Sequence, residues 1–226
     1  MTSLRALGLW LSGAALAACH SVDYTADLAV NELLYTDVAF VTAAPGDVEA
    51  FVAPVQDARD AEALPGHEGS FPIRYGNDEF WERPVTVMLG EILQRELAHS
   101  RLFAAVAPSA TPEAVVVRPS LVAFHVGAQE GMAGAMSFAE VALRVEVLGP
   151  AGVDGERPVW HDQTYGNGQR TEHSVNPVSP YRLVGRALQL TMSGALAGLD
   201  GSNVARSDVP VAAPARAAAE ASAKRR

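Results

Sequence analysis

Two stretches of the chain repeat apolar residues with the period of an α-helix. In the first, from Pro84 to Ser100, apolar residues recur at spacings of three and four. Pro84 suits the first turn of a helix, where a missing N–H removes no hydrogen bond. The predicted buried stripe is Val85, Met88, Leu89, Ile92, Leu93 and Leu97, and the predicted polar side is Glu91, Gln94, Arg95 and Glu96. Such a stripe packs on its own domain or binds a partner, and we expect the first.

The second helical stretch begins at Ser179-Pro180, where the serine is placed to cap the helix and the proline to occupy its first position. Glycines 198 and 201 predict its end. The predicted buried stripe is Leu183, Val184, Ala187, Leu188, Thr191, Ala195 and Leu196. Two amphipathic helices of this kind need another layer against which to bury their stripes.

Alternation of apolar and polar residues predicts that layer as a β-sheet. It is clearest from Phe138 to Leu148, where one face is expected on the core and the other in water. The predicted core face is Val141, Leu143, Val145 and Val147, and the predicted wet face is Ala142, Arg144 and Glu146. A longer strand is predicted from Val115 to Val126, with an edge or a bulge at Pro119, which has no N–H to donate. Shorter strands are predicted at 102–106 and 158–165.

The pattern is less regular elsewhere. Strands predicted at 34–41 and 48–54 flank Pro45-Gly46, a strong turn signal, so we expect a hairpin. Residues 56–77 are predicted to form a long loop or a covering arm, and residues 127–137 a glycine-rich loop between two strands. Phe80 and Trp81 are expected to pack in the core. The elements together predict an α+β fold, an antiparallel or mixed sheet with two main helices packed on one face.

The lone cysteine, Cys19, follows a short apolar segment that begins after Arg5. This segment is typical of an export signal and is shorter than the roughly 20 residues that span a bilayer. The sequence Leu16-Ala17-Ala18-Cys19 resembles the lipobox of bacterial lipoproteins. That resemblance implies cleavage before Cys19 and acylation of its thiol. In an organism with two membranes, His20 rather than aspartate after the cysteine implies an outer-membrane anchor facing the periplasm. An ordinary secretory signal with a chance cysteine is the alternative, whereas a redox or metal role would need partners.

The sequence pattern and the distribution of charge predict four segments. We predict a signal peptide at 1–18, a tether at 19–33, a single α+β domain at 34–200 and a disordered, alanine-rich basic tail at 201–226. Residues 19–200 carry 11 basic and 24 acidic side chains, whereas residues 201–226 carry five and two. The acidic body argues against nucleic-acid binding and against a large footprint on anionic lipid.

The sequence contains no nucleophile elbow, phosphate loop or zinc-protease helix. His161, Asp162 and His173 have ligand chemistry, but we interpret them as solvated residues at strand ends. Asp57, Arg59 and Asp60 follow a strand, where active-site loops often begin, yet a polar turn explains them equally well. Gly166-Asn167-Gly168 is interpreted as a plain loop. We therefore expect no cofactor, no metal and no catalytic residue.

Met132 and Met136 lie in the loop predicted at 127–137, where polar residues are usual. Flexible methionine side chains suit adaptable contact surfaces, so this loop is a candidate contact with a partner or with lipid. The alternative is that both methionines fold back under the sheet. The sequence leaves the two interpretations open.

The layout of residues 34–199 resembles the ABC-type transport auxiliary lipoproteins of the bacterial envelope and, more distantly, the curli-assembly-type lipoproteins. The resemblance depends on the first helix followed by Leu102-Phe103-Ala104-Ala105-Val106, and on the alternating strands that end in Val159-Trp160. It implies a non-enzymatic accessory component of an envelope transport or assembly complex, in contact with membrane through Cys19 and with envelope proteins. The alternatives are an anchored hydrolase or sugar-binding enzyme that uses the carboxylates around Asp57, and a structural lipoprotein that binds the cell wall.

Overall fold

The computed structural model describes residues 26–59, 73–74, 80–131, 134–172, 174 and 178–206. They form one mixed sheet with two helices packed on one of its faces, as the sequence predicts. The strands are β1 (Glu49–Val52), β2 (Gln56–Asp57), β3 (Ile73–Arg74), β4 (Ala105–Ala107), β5 (Val115–Gly131), β6 (Gly134–Leu148) and β7 (Val159–Arg170), and the helices are α1 (Val85–Ser100) and α2 (Pro180–Gly201).

The sheet has the strand order β4-β1-β5-β6-β7, and β2 and β3 also pair with β5. Strand β1 is parallel to β4 and β5, whereas β5, β6 and β7 are antiparallel. The predicted N-terminal hairpin is therefore wrong, because residues 34–41 form no strand. A side chain at Gly46 would meet the backbone oxygens of Leu102 and Ala205. The turn signal thus marks a close crossing of chain segments.

Strands β5 and β6 form a long hairpin where the sequence predicts a loop at 127–137. The ladder runs from Val116 opposite Leu148 to Gly131 opposite Gly134, and Gly134 has the positive φ of 113° that favours glycine. The prediction of a loop over 127–137 is therefore wrong for the described residues, which continue the two strands up to Gly131 and Gly134. At Pro119, the partner on the other side of β5 changes from β1 to β2, and a register shift follows between Leu121 and Ala123. The expected irregularity near Pro119 is present.

Two other predicted loops contain strand residues. Short strands β2 and β3 lie within the predicted arm at 56–77, and both pair with β5. Gly166, Asn167 and Gly168 lie inside β7, opposite Ala142, Val141 and Glu140. The interpretation of these three residues as a plain loop is therefore wrong, because they continue the strand.

Both helices begin where the sequence predicts, and every residue of both predicted stripes is buried. Ser179 occupies the N-cap of α2, but its side chain makes no capping hydrogen bond. The prediction that Glu96 belongs to the polar side of α1 is wrong, because the residue is only 1% exposed. Trp81 lies in the core as expected, with its ring edge-on to the rings of Phe124 and Tyr181.

The folded domain extends beyond the predicted limits of 34 and 200. Residues 26–41, here called the N-terminal strap, lie along both helices, and Leu28 is fully buried. At the other end Val204 is also fully buried. The tether predicted at 19–33 and the tail predicted at 201–226 therefore contribute residues to the core. Residues 1–25, with Cys19, and residues 207–226 lie outside the described part of the chain.

Candidate binding face of the sheet

The sheet has one face covered by the helices and one open face. The alternation in β6 separates them, since Val141, Leu143 and Val145 are at most 1% exposed while Arg144 and Glu140 face outwards. Register then places residues of β5 and β7 on the same open face. This face is the candidate functional surface, and its two ends differ in chemistry.

One part of the open face is a lattice of ion pairs across the strands, here called the charged lattice. Arg144 of β6 binds Asp162 of β7 in bidentate fashion, with Nε–Oδ1 and Nη2–Oδ2 distances of 2.6 Å. Arg118 of β5 lies 3.3 Å from Glu146 of β6. These hydrogen bonds raise the pKa of Arg144, so the lattice stays charged. A lattice of ionised side chains of this kind is typical of a face that is exposed to water.

The other part of the open face is a concave site near the end of the β5–β6 hairpin, here called the hairpin pocket. Its volume is about 300 Å³, at the small end of the range for ligand pockets. It is lined by His125, Met136, Phe138, Ala139, Glu140, Gly168, Gln169 and Arg170. Apolar atoms supply most of its wall, and the lining residues Glu140 and Arg170 are exposed.

Glycines lie beside this pocket on both strands that flank β6. Phe138 lies opposite Gly127 on β5 and Arg170 on β7. The next outward residue of β7 is Gly168, where an added Cβ would have no heavy atom within 4 Å. Neither glycine carries a side chain that could cover the ring of Phe138. The described residues that line the pocket thus lie on three paired strands, β5, β6 and β7.

Met136 is the one predicted contact residue that the structure places. It is 4% exposed and lines the hairpin pocket, with its sulfur accepting a hydrogen bond from Nε of Arg170 at 2.8 Å. The register puts Met136 opposite Gln129 on the open face, so it does not fold under the sheet into the core. Met132 lies outside the described residues.

The predicted metal candidates do not come together. His161 and Asp162 are neighbours in β7 and point to opposite faces, Asp162 towards the charged lattice. His161 is buried, its Nε2 lies 2.9 Å from the hydroxyl of Tyr165, and burial lowers its pKa. His173 lies outside the described residues. Among the residues that are described, no cluster of three histidine, cysteine or acidic side chains could hold a metal ion.

Asp57, the carboxylate of the enzyme alternative, forms a salt bridge with Arg59. Arg59 donates from Nε to Oδ1 at 2.8 Å and from Nη2 to Oδ2 at 2.6 Å. These hydrogen bonds lower the pKa of Asp57, so the group is ionised at neutral pH and is no proton donor there. Asp60 lies outside the described residues.

A buried polar cluster fastens the N-terminal strap to α1. Oε1 of Glu96 accepts hydrogen bonds from the hydroxyl of Tyr35 at 2.5 Å and from the N–H of Val38 at 2.7 Å. Oε2 has no hydrogen-bond partner among the described residues. Burial raises the pKa of Glu96 above its ordinary value. The cluster therefore holds two segments of chain together, and Tyr35 also lines a shallow cavity beside the strap.

Phe138, Gly168 and Arg170 are the site residues that the sequence interpretation missed. One signal was present, because Phe138 shares the outward register of Glu140, Ala142 and Arg144. A large aromatic residue on the wet face of a strand marks a place where that face is not simply solvated. The contribution of Gly168 and Arg170 depends on the β6–β7 register, which the sequence alone does not give.

Three solved structures match most of this chain at low similarity. Protein XCC0632 from Xanthomonas campestris, of family DUF330, matches with 18% identity and a TM-score of 0.47 over 75% of this chain and 92% of its own. The hypothetical protein CT253 from Chlamydia trachomatis matches with 14% identity and a TM-score of 0.45 over 71% and 98%. An uncharacterized protein matches with 10% identity and a TM-score of 0.39 over 74% and 98%. All three TM-scores lie below 0.5, so nothing about function follows from them.

No protein-family model matches the sequence, and a search of curated proteins finds no match either.

Proposed function

We propose that this chain is a lipid-anchored protein of the cell envelope and a non-enzymatic accessory component of an envelope transport or assembly complex. The observation that carries the binding role is the hairpin pocket on the open face of the sheet. The lipobox-like Leu16-Ala17-Ala18-Cys19 supports the anchor, and in an organism with two membranes His20 after the cysteine supports an outer-membrane position facing the periplasm. None of the described helices has the length and apolar character of a membrane span.

The hairpin pocket suits an anchoring side chain from a partner protein. Phe138 and Met136 offer an aromatic and an adaptable apolar wall, and residues of these types dominate the centres of protein interfaces. Arg170 and Glu140 stand at the edge, where polar groups set the orientation of a bound segment. We therefore expect the partner to insert one apolar side chain and to surround it with polar contacts.

The anchor is tested by Cys19→Ala expressed in cells. We expect the native protein to fractionate with membranes and to take up a fatty-acid probe, and the variant to lose both properties. Leu16→Ala in the same experiment serves as a milder control, since it alters the lipobox and keeps the thiol. If Cys19→Ala still carries the probe and stays with membranes, lipidation at this residue is wrong.

The partner contact is tested by site-specific photo-cross-linking in intact cells. A photoreactive residue at Glu140, at the edge of the hairpin pocket, should give a discrete cross-linked species. The same residue at Thr164, on the open face beside the charged lattice, should give much less. Phe138→Ala should remove the cross-link from position 140, because the pocket loses its main wall. Equal cross-linking at both positions, or none at 140, would contradict a role of the pocket in binding.

A further inference from the structure

The N-terminal strap begins seven residues after the proposed lipid attachment at Cys19 and carries exposed apolar side chains. Val30 is 63% exposed and Leu33 is 66% exposed, and both border a shallow cavity of about 540 Å³ beside Arg95. The chain from Cys19 to Ala26, even if fully extended, spans at most about 25 Å. The start of the strap therefore stays near any bilayer that holds Cys19.

Two arginines of α2 are exposed beside this part of the strap. The carbonyl oxygen of Leu34 lies where a side chain on Gly185 would be, and Gln189 donates a hydrogen bond to the carbonyl of Thr36. The strap thus crosses α2 between its residues 185 and 189. Arg182 and Arg186 are exposed on this stretch, and neither guanidinium has a hydrogen-bond or ion-pair partner among the described residues.

These arginines point away from the sheet. The hydroxyl of Thr191 donates to the carbonyl of Val141 on β6, which fixes the sheet-facing side of α2. Arg182 precedes Thr191 by nine residues, and at about 100° per residue this is half a turn around the helix. Arg186 lies about 140° from Thr191 by the same measure. The strap and the arginines therefore form the surface opposite to the open face of the sheet.

We infer that this surface, formed by Val30, Leu33, Arg182 and Arg186, rests on the phospholipid leaflet that holds the anchor. Apolar side chains at such a surface enter the boundary between headgroups and acyl chains, and guanidinium groups bind lipid phosphates. Glu32 is an exposed carboxylate within the patch. The footprint is small, which is compatible with the acidic charge of the whole domain.

This inference rests on the proposed lipid anchor, and it adds an orientation to it. With the strap on the leaflet, the hairpin pocket and the charged lattice face away from the membrane. The pocket is then presented to a partner in the aqueous space. A lipid-attached domain without such a contact would turn freely about its tether.

The orientation is tested with the full lipidated chain in vesicles of phosphatidylethanolamine and phosphatidylglycerol. Acylation leaves Cys19 without a free thiol, so Leu33→Cys and, as the control, Thr164→Cys each supply a single site for a fluorescent label. Lipids with a nitroxide near the headgroup should quench the label at 33 several-fold more strongly than the label at 164. In the Leu33→Cys protein, adding Arg182→Glu and Arg186→Glu should reduce the quenching while the protein stays on the vesicles.

The outcomes separate this inference from the proposed function. Equal quenching at 33 and 164, in protein that mass spectrometry shows to be acylated, overturns the orientation and leaves the anchor in place. If Cys19 instead reacts with the label and the protein does not bind the vesicles, the anchor itself is wrong. If the quenching is unchanged after both arginine substitutions, Arg182 and Arg186 do not contribute to the contact with lipid.

Discussion

On the side of the sheet that the helices cover, the inward residues of β5 and β6 pack in the core, whereas on the open side the same strands carry ion pairs and a cavity. Buried and outward-facing residues alternate along β6. Leu143 is 1% exposed, and its neighbour Arg144 forms a salt bridge to the next strand. The covered side provides the stability of the domain. The open side carries polar and charged groups, and the proposed binding function lies there.

The largest expected effect comes from removing packed volume on the covered side. Leu143→Ala deletes most of a side chain that is 1% exposed, and such changes cost about 3 kcal/mol of unfolding free energy. Glu140→Ala, on the open side of the same strand, should cost less than about 0.5 kcal/mol. Urea denaturation measures both. A similar loss for the two variants would show that the sheet is covered on both sides.

The second prediction concerns the buried carboxyl of Glu96 on the covered side. Its folded-state pKa is raised above the ordinary value of 4.5 because burial disfavours the charged form. The folded state then binds more protons than the unfolded state, so this contribution is fully present below pH 4.5 and is lost as the pH rises through the folded pKa.

Glu96→Gln tests this directly, because the amide can still accept the hydrogen bonds from Tyr35 and Val38. We expect the variant to gain stability relative to the native protein as the pH rises from 4.5 to 8. Glu140→Gln, on an exposed side chain, is the matched control and should follow the native pH profile. Parallel profiles for Glu96→Gln and the native protein would contradict a raised pKa.

The sequence predicted the covered side well because burial leaves a periodic pattern. Both helical stripes and the inward residues of β6 follow from the spacing of Val85 to Leu97, Leu183 to Leu196 and Val141 to Val147. Local turn chemistry was less informative. Pro45-Gly46 predicted a hairpin, but β1 finds parallel partners that are distant in sequence.

The open side could be predicted only in part. Alternation identified Arg144 and Glu146 as outward, but the partner of Arg144 depends on the β6–β7 register. Glycines 127 and 168 predicted loops, whereas the structure uses them as gaps beside Phe138. The predicted exposure of Glu96 is wrong for a related reason. Its carboxyl lies at a polar position of α1, but the N-terminal strap covers and buries it.

The third prediction fills the hairpin pocket. A side chain at Gly168 meets no heavy atom within 4 Å of its Cβ, and this glycine has no left-handed backbone angle, so valine fits there. Gly168→Val should raise the unfolding free energy by about 0.5–1 kcal/mol, since glycine inside a strand is unfavourable. It should also remove the cross-link from position 140 by occupying the space beside Phe138.

Thr164→Val on the same strand is the control for Gly168→Val. It adds no volume near the pocket and should leave the cross-link intact. A Gly168→Val protein that is more stable and still cross-links fully would show that the partner does not use the pocket. That result would move the binding site to another part of the open face.

The smallest effect is expected in the charged lattice. Arg144→Gln removes both hydrogen bonds to Asp162, but the arginine side chain is 46% exposed, and exposed pairs contribute between about 0.2 and 1 kcal/mol. We expect a loss of about 0.5 kcal/mol at low salt that shrinks in 1 M KCl, because salt screens exposed charges. Arg118→Gln, with a longer contact of 3.3 Å to Glu146, should lose less. A loss above about 2 kcal/mol that does not respond to salt would mean that the lattice is desolvated, as at a buried interface. The charged lattice, and not the hairpin pocket, would then be the part of the open face that a partner covers.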